Sequence, residues 1–252
     1  MTRRMRARSA ALLVSIEAGL GRIMIFWLLL AGLAVALRIA LSPIPNGLQP
    51  ATLAPYALLI FAPLASMALA LRWFADGEDQ TQPAVRLARI GDWHIVTRDR
   101  AMRHRLYGTS GLMVSLLIAI LLNVPLRGLE YLAAMPAISG AVPAWLSRLH
   151  LIMTIDVVLM SSLYTIAFIA ALRCVPSFPR LIAAIWMLDL AMQVTTAQVM
   201  ARVAELPRGV AGPLHSLLEG NVLKVMASVA LWLPYLLLSK RVNVTFRHRI
   251  PA

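Results

Sequence analysis

The sequence predicts an all-α, polytopic membrane protein of about six transmembrane helices, with both termini on the cytoplasmic side. Composition is the first observation behind this. Of the 252 residues, 60% are hydrophobic and only 14% charged, whereas a soluble domain carries about 45–50% apolar and roughly 25% charged residues. The second is patterning: the charges fall in short clusters between long apolar runs. Such a chain faces hydrocarbon, and its length is consumed by helices of about 20 residues joined by loops.

The apolar runs are, in order, Leu20–Leu41, Ala54–Trp73, Leu106–Leu126, Leu149–Leu172, Leu181–Val203 and Leu217–Ser239. Each is long enough to cross a hydrocarbon core of about 30 Å. Inside a bilayer every backbone polar group needs a partner within the protein, so these runs are expected as helices. Pro63 and Pro234 fall inside runs and should kink them rather than end them. The Arg-rich start resembles that of a secretory signal. The first run is too long for one, however, and Arg38 and Pro43 stand where a small-residue cleavage region would lie. It is read as a retained helix.

Orientation follows from the basic residues. One set of segments holds Arg3, Arg4, Arg6 and Arg8, then Arg72, Arg86, Arg89, Arg98, Arg100, Arg103 and Arg105, then Arg173 and Arg180, and finally Lys240, Arg241, Arg247 and Arg249. The opposite segments hold Arg127, Arg148 and Arg208, with Arg202 at a boundary. The richer side is cytoplasmic by the positive-inside rule. The formal net charge of +13 would suggest nucleic acid in a soluble protein. Placed beside spans, it suits anionic headgroups instead, at about 1 kcal/mol per basic residue. The expected partners are the lipid bilayer, its anionic headgroups on the cytoplasmic side and other membrane proteins, but not nucleic acid. Cys174 is the single cysteine, which excludes a disulfide within the chain and a cysteine zinc cluster.

Two connections carry apolar residues of their own. Asp76–Arg105 alternates basic residues with Val85, Leu87, Ile90, Trp93 and Ile95, and is expected as an interfacial helix with snorkelling arginines. Arg127–His150 is expected on the outer surface, with Tyr131 and Trp145 at headgroup depth.

No GxSxG, HExxH, P-loop or strand-associated GxGxxG is present. Of the histidines, only His150 and His215, near the outer ends of spans four and six, are placed to share a metal or haem, and interfacial histidines bonded to water are far commoner. No cofactor is expected.

Ionisable groups inside spans cost roughly 2.5–3.5 kcal/mol near the bilayer centre and are functional candidates by default. Here they are Asp156, Asp189 and Lys224, with Arg38 near enough to an end to snorkel. Asp156 and Lys224 each lie about 10 Å below the outer end of their spans, so an ion pair between them is expected. Asp189, Gln193 and Thr196 share one face of span five, and Asn221, Lys224, Ser228 and Tyr235 share one face of span six. The candidate intramembrane polar site is therefore Asp156, Asp189, Gln193, Thr196, Lys224, Ser228 and Tyr235. Asp189 lies about 12 Å from the cytoplasmic end of its span. With no cation assigned to its depth, it is expected in neutral form, with Gln193 and Tyr235 around it.

The end of the last span reads Trp232, Pro234, Tyr235, Ser239, Arg241 and Val242, followed by Thr245 and Phe246. This resembles the C-terminal signature of domain-of-unknown-function family 2569, small bacterial inner-membrane proteins. The turn Arg173 to Pro179, basic and containing Phe178-Pro179, is similar to the one before that family's penultimate helix. The resemblance runs over the last four spans. It divides the chain into a two-span N-terminal extension (1–105) with a basic loop and a four-span region (106–252), and it implies the bacterial inner membrane without implying an activity.

Three roles are compatible with these features. The first is a non-enzymatic accessory or assembly and interaction component, in keeping with the missing catalytic motifs and short loops. The second is a small carrier or lipid-handling protein that uses the polar face of spans four to six. The third is a membrane-embedded enzyme, for which Asp156 and Asp189 are the only acid–base candidates. The first is the expectation.

Overall fold

The computed structural model describes residues 3–42, 47, 49–77, 80–84, 91–140, 142–203 and 207–252, and the side chains of residues 11 onward among these except that of Arg208. The described residues form helices α1 (Arg3–Ala18), α2 (Leu20–Ala40) and α3 (Pro50–Trp73), strand β1 (Trp93–Ile95), helices α4 (Arg98–Met102), α5 (Leu112–Ala134), α6 (Ala144–Leu172), α7 (Phe178–Ala201), α8 (Arg208–Leu238) and α9 (Lys240–Arg247), and strand β2 (Arg249–Pro251). Six of them, α2, α3 and α5 to α8, are long and apolar enough to cross a membrane. The all-α, multi-pass architecture expected from the sequence is the one observed.

Burial ranks the helices. In α6, 67% of the apolar window is buried, against 17% in α2 and 11% in α8. α6 is therefore the central post, packed against α3, α5 and α7, while α2 and α8 lie at the periphery. Two threonine hydroxyls of α6 are satisfied by their own backbone: Thr154 Oγ1 donates to the His150 carbonyl at 2.7 Å and Thr165 Oγ1 to that of Ser161 at 2.8 Å. The N-terminal spans join the bundle through polar contacts as well as packing. Trp27 Nε1 donates to the Ile60 carbonyl at 2.9 Å, and Arg38 Nε donates to the Met135 carbonyl at 2.8 Å.

The core is split along the helix axes into two apolar layers. One gathers Leu117, Val124, Met160, Tyr164, Ile185 and Val225 with the C-terminal Val242 and Phe246. The other gathers Tyr56, Tyr131, Leu132, Met153, Val157, Met200 and Leu218. The level between them is where the buried charges lie.

Span three departs most from its sequence-based bounds. It runs Leu112–Ala134 rather than Leu106–Leu126. At its start, Gly108 and Gly111 have φ of 90° and 78°, a left-handed region that stops a helix of L-residues and that glycine adopts freely. At its end, Arg127 does not close the span but stays within it. Two surface expectations change with this. Tyr131, expected on the outer surface, is buried inside the bundle, sharing a 2.8 Å hydrogen bond with Thr154 Oγ1. The interfacial helix expected over Asp76–Arg105 is replaced, where described, by β1 and the short α4; Val85, Leu87 and Ile90 lie outside the described residues.

β1 pairs antiparallel with β2, His94 opposite Ile250. α9 packs beneath this ribbon. Arg241 Nη1 donates to the Leu106 and Gly108 carbonyls at 3.2 Å, Thr245 Oγ1 donates to Gly108 at 3.3 Å, and the Phe246 ring lies 5.2 Å from that of Phe178. The segments following α3 and α8 thus lie on one side of the bundle, as an even number of crossings between them requires. Oxidation of a His94→Cys, Ile250→Cys double variant should give an intramolecular disulfide in high yield, seen as a mass loss and a gel shift. Failure to cross-link in membranes would contradict the pairing.

Candidate functional site

The buried charges are brought together by three helices. Arg127 of α5 reaches between Asp156 of α6 and Asp189 of α7. Its Nη1 donates to Asp156 Oδ2 at 2.8 Å, and its Nη2 donates to Asp189 Oδ1 and Oδ2 at 2.8 and 2.6 Å. The side chains are 11% exposed for Arg127, 8% for Asp156 and 0% for Asp189. Charge-assisted bonds of this kind are about twice as strong as neutral ones.

Neutral donors complete the shell. Tyr164 Oη donates to Asp189 Oδ2 at 2.9 Å. Gln193 Nε2 donates to Asp156 Oδ1 and Asp189 Oδ1, both at 3.3 Å. The Gln193 carbonyl oxygen accepts from Asn221 Nδ2 of α8 at 3.3 Å, and Asn221 Oδ1 in turn accepts from Lys224 Nζ at 3.4 Å. A continuous polar chain runs from the open flank of α8 to the buried Asp189. One guanidinium faces two carboxyl groups, so the triad holds one acid in excess.

The expected Asp156–Lys224 ion pair does not form. Lys224 pairs with Glu130 of α5, on the flank of the bundle, with side chains 58% and 37% exposed. The expectation that Asp189 has no cation at its depth is likewise overturned by Arg127. Both errors have one cause: ending span three at Leu126 put Arg127 and Glu130 in a loop. Of the predicted site residues, Asp156, Asp189 and Gln193 meet directly. Lys224 connects through Asn221. Thr196 Oγ1 and Ser228 Oγ instead bond their own helix, to the Met192 and Lys224 carbonyls at 2.8 and 2.9 Å. Tyr235 is not in the Asp189 shell; Tyr164 takes that place, and the Tyr235 ring packs on Trp232 near the end of α8. A signal for the missed residues exists: Asn123, Arg127 and Glu130 stand at i, i+4 and i+7, the same one-face spacing as Asp189, Gln193 and Thr196.

Between α5, α6 and α8 lies a cleft of about 90 Å³, lined by Arg127, Glu130, Tyr164, Asn221, Lys224 and Ser228 among others. Asn123 also lines it, and its Oδ1 is buried without a hydrogen-bond partner among the described residues. The cleft has room for a few waters, far less than the roughly 300–1,000 Å³ of an organic-ligand site. A separate apolar groove of about 150 Å³ lies between α2, α3 and α5. No family model, curated protein or solved structure matches the chain.

Removing one partner of a buried ion cluster costs about 3–5 kcal/mol. Arg127→Met should therefore lose stability of that order in detergent unfolding, and adding Asp189→Asn should cost less than the sum of the two. Asp156→Asn and Lys224→Met, which are joined only through Gln193 and Asn221, should couple more weakly than Arg127→Met and Asp189→Asn. Strong coupling between Asp156 and Lys224 would contradict the pairing described.

Proposed function

We propose that the chain is a non-enzymatic component of the bacterial inner membrane that docks another membrane protein along the α5–α8 cleft. The observation that carries this is the Lys224–Glu130 pair, half open on the flank of a bundle that crosses the bilayer. Lys224 lies about 24 Å along α8 from Arg208 and about 21 Å from Leu238. Charge left at that depth against lipid costs several kcal/mol. A covering helix removes the cost. Lys224 and Glu130 balance each other, and the Asn123 amide oxygen in the same cleft has no donor among the described residues, so the matching partner is a transmembrane helix that presents an uncharged donor, a hydroxyl or an amide. The small volume of the cleft weighs against a carrier of organic substrates.

The concentration of arginine on the side of α9 and β2 supports a cytoplasmic placement of both termini. A reporter fused after Ala252 should then read cytoplasmic and one inserted near Ser139 periplasmic; the reverse result overturns the orientation.

Docking is tested with photo-crosslinking residues at Ala227 and Leu231, on the Lys224 face of α8, and at Leu33 on exposed α2 as a control. The expected result is one discrete protein adduct from 227 and 231, reduced several-fold by Lys224→Leu and absent from 33. Lipid adducts alone, equal yields at all three sites, or an adduct of twice the chain's own mass would overturn a heterologous partner.

A further inference from the structure

The apolar groove between α2, α3 and α5 lies among the spans and shares no lining residue with the α5–α8 cleft. Its wall of about 150 Å³ includes Phe26, Trp27 and Leu30 of α2, Met67 of α3 and Leu121 of α5. Pro63 of α3 and Pro125 of α5 also line it. A proline inside a helix removes a backbone bond and bends the axis, and both of these fall on the groove. Trp27 is fixed in the wall by its indole N–H, which donates to the Ile60 carbonyl at 2.9 Å. The one hydroxyl among the lining residues, that of Thr165, is engaged by the Ser161 carbonyl.

Such a wall does not hold water, which needs about two to four polar partners. Hydrocarbon suits it. The volume is well below the roughly 300 Å³ at which pockets enclose organic ligands, and fits a single chain lying lengthwise with one side left to the bilayer. An acyl chain gains little by leaving other lipid tails for an equally apolar groove, so selection has to come from the groove's end. α2 begins at Leu20 and α3 ends at Trp73. As successive spans they run antiparallel, which puts Arg22 and Arg72 at the same, arginine-rich end. Arg22, Phe26 and Leu30 stand at i, i+4 and i+8 on one stripe of α2. Arg72 stands about 7.5 Å along α3 beyond Met67. The Arg22 guanidinium turns back toward the surface, its Nη2 lying 3.9 Å from the place a Cβ on Gly19 would take. Both arginines are exposed, and neither forms an ion pair with a described residue.

We propose that the groove holds one acyl chain of an anionic phospholipid whose phosphate is bound by Arg22 and Arg72. The chain fixes the place of the lipid along the flank of the bundle. The planar guanidinium forks then meet the phosphoryl oxygens, two N–H donors to two oxygens. Phosphatidylcholine carries its own cation beside the phosphate, whereas phosphatidylglycerol leaves the phosphate charge unbalanced. The site therefore prefers the second. The purified full chain is given equal amounts of the two lipids in detergent micelles, and native mass spectrometry counts the lipids retained.

The expected result is one phosphatidylglycerol kept per chain in preference to phosphatidylcholine. Arg22→Gln combined with Arg72→Gln should lower that retention about tenfold or more. Arg105→Gln, which removes a charge from the exposed surface of the same side, should leave it nearly unchanged. Leu30→Trp, which fills the groove, should reduce retention with both arginines intact. In the wild-type protein, phosphatidylglycerol with a photoactivatable group within one chain should label the groove at Trp27, Met67 or Leu121. That readout holds even if a variant fails to fold. Equal retention of the two lipids would overturn the site, as would equal losses from the double variant and Arg105→Gln. So would unchanged retention by Leu30→Trp, or label spread evenly onto exposed Met187 of α7.

Discussion

The Arg127 guanidinium, bonded to Asp156 on one side and Asp189 on the other, is the contact on which the bundle depends. Lipid supplies no hydrophobic drive for helices to associate, and ordinary interhelical hydrogen bonds average about 0.6 kcal/mol. A buried ion cluster is different in kind, because separating its members strands a charge in a medium that does not solvate it. Its effect is directional. One helical turn is about 5.4 Å, so sliding α5 by a turn would take Arg127 out of reach of both acids, whose Asp189 bonds are 2.8 and 2.6 Å long. The triad thus sets the axial register of α5, α6 and α7, and the two apolar layers pack above and below a level already determined.

This explains what the sequence made legible. The number and type of spans are properties of composition and periodicity, and they are observed as expected. Asp156, Asp189 and Gln193 stood out because polar groups in apolar runs are few. Arg127 and Glu130 did not, although their spacing with Asn123 marks a polar helix face. A reading by apolar runs ends a span at its first charge, whereas a bundle ends it where backbone and side chains cease to be satisfied. Whether Arg127 is buried is decided by two acids far along the chain, and no local window contains them. The bound of α5 and the identity of the cation in the site are therefore a single inference, missed once with two consequences.

The membrane-surface segments were hidden for a related reason. Trp93–Ile95 and Arg249–Pro251 are three residues each, too short to announce a strand, and each is extended only because the other lies beside it. The residues from Trp232 to Phe246 take a physical meaning in the structure. Arg241 and Thr245 close the carbonyls of 106–108, and Phe246 joins α9 to the start of α7. Their work is to tie the segment before α5 to the end of α8.

Stability and recognition consequently fall on different helices. α5, α6 and α7 share the charge cluster and most of the buried surface. α8 holds to them by packing on α7, by the amide contact of Asn221 to Gln193 and by the half-exposed Lys224–Glu130 pair with α5. Its own charge, Lys224, faces the flank rather than the centre. A helix with few internal obligations can present polar groups outward without unbalancing the fold, since the acids it passes are already bonded by Arg127, Tyr164 and Gln193. The burial of one cation at the centre is thus what leaves the other at the edge, where it can meet a second protein.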